Sequence, residues 1–305
     1  MPNWTEVFRE IQNTGMQYAA QSQDALGIVR RKYLKSLHAH TKRNVIAYYS
    51  GFLSKPQVMS GIQDEDKNGF MMAVHGMDRS MGLDLILHTP GGEITATHSL
   101  VDYLHKMFKS DLRVIVPQIA MSAGTMIACC SREIVMANHS NLGPIDPQLR
   151  GAPAYGVLKE FRQACREVKK DQSKVLVWQS IMSQYRPTFL SQCQNAISLS
   201  NDFVTAQLTN VMFSGETRAA QKAKAIVRAL TDYSGNKAHD RHIHYEECKK
   251  IGLKVSLVED DNVFQDLLLT VHHCYMHCLM NTHAFKMIEN HNGAAFVKNI
   301  AQNAS

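Results

Sequence analysis

Two short apolar runs, each ending in a loop of small residues, constrain this chain more than any other feature. The first, Leu83 to Leu87, runs into His88-Thr89-Pro90-Gly91-Gly92. The second, Val114 to Val116, leads to Ala120-Met121-Ser122-Ala123-Gly124-Thr125. Apolar runs this short, bounded by turn residues, read as buried strands. A glycine pair at a strand end lets a backbone N–H approach a ligand closely. A serine between small residues, just ahead of a helix-like run, is an exposed nucleophile followed by another available N–H. Together the two loops supply the parts of an acyl-transfer site: an oxyanion hole and the hydroxyl that attacks.

The surrounding pattern extends this picture. Residues 4–40 carry helix formers, with Leu26, Val29, Tyr33, Leu34 and Leu37 near helical spacing. Asn44 to Tyr49 reads as a strand ending at Ser50-Gly51, and Phe70 to Val74 as part of a helix. Thr95 to Phe108 is a helix with Leu100, Tyr103, Leu104 and Met107 on one face. Ile134 to Met136 is a further strand, 155–230 is predominantly helical, Lys254 to Leu257 closes the sheet, and Asn262 to Asn290 returns to helix. Strands alternating with helices at this pace predict an α/β fold with a largely parallel sheet. Ligands in such folds sit at the carboxyl ends of strands, where both loops lie. The chain divides into an N-terminal helical segment over 1–40, a main domain over 41–260 and a C-terminal helical segment over 261–305.

Composition excludes more than it selects. The 305 residues can bury a full core, and 45% hydrophobic with 20% charged residues is ordinary for a globular protein. A net charge of +6 is spread along the chain, so it gives little support for a nucleic-acid partner. No run of about 18 apolar residues predicts a membrane span. Met1 to Gln23 lacks the apolar core of a signal peptide. Seven irregularly spaced cysteines fit a reducing, cytoplasmic setting better than a disulfide framework.

The run from Gly82 to Gln148 resembles the serine dehydrogenase proteinase family. The motifs that carry it are Leu87-His88-Thr89-Pro90-Gly91-Gly92, Ala120-Met121-Ser122-Ala123-Gly124-Thr125 and Leu142-Gly143-Pro144-Ile145-Asp146-Pro147-Gln148, and the similarity extends over about residues 30–290. That family has the Clp protease/crotonase-like fold and is related to signal peptide peptidase A. The resemblance implies a spiral of ββα units, a Ser122 nucleophile, and an oxyanion hole from Gly91, Gly92 and the Ala123 N–H. Despite the family's name, no dinucleotide fingerprint is present, so neither a dehydrogenase nor a cofactor is expected.

The group that takes the serine proton is the open question. Clp proteases use a Ser-His-Asp triad, and by count their histidine would fall near Asp146-Pro147, where this chain has none. Asp240 matches their aspartate through the segment Asp240-Arg241-His242 to Glu246-Glu247-Cys248. One repair is a Ser-Lys dyad, as in signal peptide peptidase A, and Lys159 in its apolar context Val157-Leu158-Lys159-Glu160-Phe161 leads that reading over Lys169, Lys170 and Lys174. Others are an imidazole from His139 or His239, or Asp146 itself, although that residue is better suited to holding its loop through backbone N–H groups. His88, beside the glycine turn, could tune the site or touch substrate, or serve as a hydrogen-bonded scaffold residue. His272, His273, Cys274, His277, Cys278 and His283 fall on one predicted helix, but no acidic partner or Cys-x-x-Cys knuckle completes a metal site, and core packing is the preferred reading.

The expectation is a serine peptidase acting on polypeptides. The alternatives are a catalytically inactive Clp-like binding or assembly protein, and an acyl-CoA enzyme of the crotonase type. The resemblance further implies a homo-oligomer, and it leaves open an unfoldase or other regulatory partner.

Overall fold

The computed structural model describes residues 4–18, 24–232 and 238–301. Residues 1–3 and 19–23 of the expected N-terminal segment, and 302–305 of the C-terminal one, lie outside the described residues. Two helices, α1 (Trp4–Tyr18) and α2 (Ala25–Thr41), precede the first strand, β1 (Asn44–Ser50). Then follow α3 (Asp66–Val74), β2 (Leu83–His88), α4 (Ile94–Phe108), β3 (Leu112–Val116), β4 (Ile119–Ala120), α5 (Ala123–Cys129), β5 (Glu133–Met136) and β6 (Asn141–Leu142). A hairpin of β7 (Gln148–Leu149) and β8 (Ala152–Pro153) opens the helical region α6 (Ala154–Lys170), α7 (Val175–Met182), α8 (Phe189–Gln207) and α9 (Ala219–Thr231). The chain closes with β9 (Ile243–His244), α10 (Tyr245–Ile251), β10 (Val255–Leu257), α11 (Asn262–Asn281), β11 (Ala284–Asn290) and β12 (Ala295–Asn299).

The main sheet has the order β10-β5-β3-β2-β1-β11-β12. From β10 to β1 every pairing is parallel, and β11 and β12 add antiparallel. Both faces are covered, so the strands are buried along their length. Side-chain alternation sorts them: Ile46, Tyr48, Leu85, Leu87, Val114 and Val116 join the core under α4, α5, α8 and α9. Val45, Ala47, Tyr49, Ile86, Ile115 and Val135 join a second core under α2 and α11. Each such side chain taken fully out of water contributes roughly 1.5–3 kcal/mol before entropy is counted.

A second, smaller ladder stands at the carboxyl ends of the main strands. After β1 the chain bridges Ile62 to Gly92, after β2 Thr89 bridges to Ala120, and β4 pairs with β6 and β6 with β9. Strand, short strand, helix therefore recurs as a ββα unit, as expected. The expected helix over 262–290 is broken. It ends at Asn281, and Ala284–Asn290 is instead the strand beside β1. Burial on both faces removes the period-two signal of this strand. Its charged residues are buried against distant partners, Lys286 on Asp66 and Glu289 on Arg30. His283 consequently lies off the helix that carries His272 to Cys278.

Candidate active site

Ser122 sits on a sharp turn between β4 and α5, with φ 50° and ψ −113°. A non-glycine residue with this backbone is strained, and such strain collects where a side chain must be thrust forward. The turn is possible because the residues two before and two after the serine are small. A Cβ at Gly124 would lie 3.3 Å from the Ala120 Cβ and would overlap Thr89. Thr125 Oγ1 donates to the Ala120 carbonyl (2.8 Å) and accepts from Gly143 N–H (2.9 Å), tying the elbow to the Asp146 loop. Ala123 opens α5, and first-turn N–H groups have no acceptor within their own helix.

The glycine turn packs directly on this elbow. Gly91 has φ +110°, and a Cβ there would lie 2.7 Å from the Ser122 Cβ. On its far side Gly92 presses against Ile62, whose Cα would lie 2.7 Å from a Gly92 Cβ. Ile62 N–H donates to the Gly91 carbonyl (2.8 Å) and Glu93 N–H donates to the Ile62 carbonyl (2.9 Å). Gly91 N–H donates to Thr89 Oγ1 (3.2 Å), whereas Gly92 lines the cavity in front of Ser122. Of the two glycines, Gly92 thus borders the cavity and Gly91 is the close-packed wall against Ser122.

That cavity, about 510 Å³, is bounded by Ser122, Gly92 and His239, and by the apolar side chains of Ile94, Met126, Ile145, Leu149, Ala196 and Leu199. His239 Nδ1 lies 2.9 Å from Asp146 Oδ1, and Asp146 Oδ2 accepts from Gln148 Nε2 (2.9 Å). Asp146 is buried. Its loop is pinned from both sides, by Ile145 N–H on the Leu230 carbonyl (3.1 Å) and by Ser200 Oγ on the Ile145 carbonyl (3.2 Å). Asp146 was expected to hold its own loop through backbone N–H groups; it binds the His239 and Gln148 side chains instead. A histidine giving Nδ1–H to a carboxylate presents Nε2 as its basic nitrogen.

The other candidates lie elsewhere. Lys159 is exposed and lines a different cleft, with Tyr155, Arg162, Asn201 and Arg228. Its apolar neighbours mislead because adjacent helix residues face different directions; Ala154, Val157 and Ala164 form the buried stripe of α6. Asp240, the expected triad aspartate, is exposed and is not among the residues lining the Ser122 cavity. His139 is exposed in the turn after β5, on the side of His272 and His273. The alternation of β2 turns His88 away from the site, onto the opposite face of the sheet. There it is fully buried among Tyr49, Phe52 and His272, and neither ring nitrogen has a hydrogen-bond partner.

His88 makes the fold acid-sensitive. Burial pushes its pKa down to about 3, from about 6.5 in the unfolded chain. Between those values the unfolded chain binds the extra proton, so stability falls as pH drops below about 6.5 and levels off below about 3. His88→Phe is expected to retain about 3 kcal/mol more stability than the parent at pH 4, relative to their difference at pH 7. Urea midpoints at the two pH values measure this, and equal losses in both proteins would contradict it.

On α11, His277 packs at a tilt against Trp4 and stacks on Phe8, with ring centroids 3.9 and 5.2 Å away, and Cys274 and Cys278 are core residues. Among the described residues no group of three or more His, Cys, Asp or Glu side chains is arranged to hold a metal ion. No described helix is long and apolar enough to cross a membrane.

A fold of ββα units with a serine elbow facing a glycine turn defines a ClpP-like α/β protein. Residues 16–290 match the family described as ClpP-like SDH-type serine proteinase, and the chain belongs to that family. It is 30% identical over 266 residues to the uncharacterized protein MJ0137 of Methanocaldococcus jannaschii, covering 86% of this chain and 83% of that protein. It is also 30% identical over 218 residues to the uncharacterized protein MJ1495 of the same organism, covering 72% of this chain and 66% of the relative.

Proposed function

We propose that this chain is a serine peptidase that cleaves polypeptides through a Ser122–His239–Asp146 triad. The observation that carries the proposal is that His239, hydrogen-bonded to the buried Asp146, lines the same cavity as Ser122. Relative to Clp proteases, acid and base have exchanged places along the chain. Asp146 occupies the stretch where their histidine is expected, and His239 lies one residue before the position matched to their aspartate. A triad is defined by geometry and roles rather than by order in sequence, so the exchange preserves the chemistry.

In the first step Ser122 Oγ attacks the substrate carbonyl carbon while His239 Nε2 takes the hydroxyl proton. The negative oxygen accepts hydrogen bonds from the Gly92 and Ala123 N–H groups. His239 then gives its proton to the leaving amine as the C–N bond breaks, and an acyl-enzyme remains on Ser122. Water attacks that ester, His239 takes the water proton and returns it to Ser122, and the acid product leaves. Asp146 accepts the Nδ1–H and holds the imidazole in the required tautomer. A cytoplasmic setting belongs to the same reading, which the irregular spacing of the seven cysteines supports.

The test is an acid quench of the protein with an activated peptide ester, followed by mass mapping. An acyl group on the Ser122 peptide is expected; an acyl group on another residue, or turnover with none on Ser122, would contradict the mechanism. The apolar lining of the cavity favours a large apolar side chain next to the scissile bond. Filling it with Ala196→Trp is expected to lower kcat/KM for a leucine substrate roughly 10-fold or more, and for an alanine substrate much less. Equal losses for both substrates would place the side-chain subsite elsewhere.

A further inference from the structure

Behind the glycine turn lies a buried ion pair that the catalytic steps do not use. Lys286 of β11 is fully buried, and its three protons are matched by three acceptors. Nζ donates to the Gly61 carbonyl (2.6 Å) and to Asp66 Oδ1 and Oδ2 (2.8 and 3.0 Å). Asp66, also fully buried, accepts from Gln63 N–H (3.0 Å) and from the Tyr48 hydroxyl (2.8 Å) through Oδ2. The pair therefore grips the residue before Ile62 by its carbonyl and the residue after it by its N–H. Ile62 is the residue whose backbone bonds Gly91 and Glu93 and leaves Gly92 no room for a side chain.

From this chain of contacts we propose that Lys286 and Asp66 are positioning residues for the oxyanion hole. They fix the 61–63 segment as a rigid back wall, and that wall aims the Gly92 N–H at the cavity. The proposal rests on the reading of Ser122 as nucleophile. A buried ion pair is seldom the most stabilising choice for a core, since matched apolar residues often serve as well or better. Its directional bonds set geometry, and the geometry they set here is that of the turn packed on Ser122.

The experiment compares the parent with Lys286→Met, Asp66→Asn and Tyr48→Phe. Amide exchange is read at Ile62 and Glu93, fluorophosphonate labelling at Ser122, and kcat and KM with a peptide ester. Lys286→Met and Asp66→Asn are expected to lose exchange protection at those two amides. Both are also expected to label and turn over roughly 10- to 100-fold more slowly, with KM changed little, because the lost donor acts in the transition state. Tyr48→Phe removes one bond to Asp66 but neither grip on the segment, so its effect is expected to be several-fold smaller. If Lys286→Met does not fold, Asp66→Asn decides the matter. Folded variants with parental protection and labelling would overturn the proposal, as would failure of both to fold, which would show a global role. Absence of label on the parent itself would instead overturn the assignment of Ser122.

Discussion

Replacing His239 by glutamine is expected to lower kcat/KM roughly 10³-fold or more while leaving the fold intact. His239 is partly exposed, and its one described polar contact is Asp146, so its loss removes little packing. On the proposed mechanism it removes the group that accepts the Ser122 proton and returns it to the leaving amine. Residues that act as one unit are far from additive, so Ser122→Ala combined with His239→Gln is expected to be no slower than Ser122→Ala alone. Asp146→Asn leaves similar packing but favours the wrong imidazole tautomer, and a loss on the same scale follows. Steady-state kinetics with a peptide ester, beside thermal unfolding of each variant, measures all of this. A folded His239→Gln protein with activity within about tenfold of the parent would remove His239 from the mechanism.

Gly92→Ala is expected to have the second large effect, and for a different reason. The added methyl would overlap the Ile62 backbone nitrogen and oxygen, atoms that belong to a hydrogen-bonded ladder and cannot rotate away. The turn must then shift, carrying with it the N–H that the proposed mechanism assigns to the oxyanion. Loss of one such donor costs roughly 10²- to 10³-fold in rate. The displaced backbone is expected to cost more than about 2 kcal/mol in stability as well. By contrast, Gly151→Ala, where a Cβ meets nothing within 4 Å at φ +80°, is expected to cost only about 1 kcal/mol of backbone strain and to leave the rate unchanged. Denaturant midpoints and labelling rates for the two variants separate collision from strain. Similar behaviour of both would mean that the Ile62 contact has no role in catalysis.

The halves of the site that depend on local pattern were legible in the sequence. A glycine pair ending one strand and a serine between small residues ending the next are short-range signals, and both loops fall at strand ends as the alternation of elements requires. The pairing of His239 with Asp146 is not legible in this way, although each residue is a candidate by itself. His239 and Asp146 are 93 residues apart, and no periodicity joins a turn before β9 to a loop after β6. The signal that could have paired them was the two segments already singled out, read with acid and base exchanged as the proposed triad requires. Expecting each residue type in its usual place led to Asp240 instead. Lys159 was favoured for its apolar neighbours in sequence, but on a helix the neighbours that decide burial are three and four residues away. The strand Ala284–Asn290 is not separable from the helix before it by local pattern, because it is buried on both faces and the partners of its charged residues Lys286 and Glu289, Asp66 and Arg30, are more than 200 residues away. His88 adjoins the glycine turn in sequence, which leaves a role in the site and a scaffold role both open. The two-residue alternation of a strand puts it on the other face.

The most direct measurement is fluorophosphonate labelling of four proteins under one condition: the parent, Ser122→Ala, His239→Gln and Lys159→Met, each shown to be folded. Label is expected on Ser122 in the parent and in Lys159→Met, and none on Ser122→Ala or His239→Gln. Full label on His239→Gln with none on Lys159→Met would contradict it and point to a lysine base, and no label on the parent would mean that Ser122 is not an activated nucleophile.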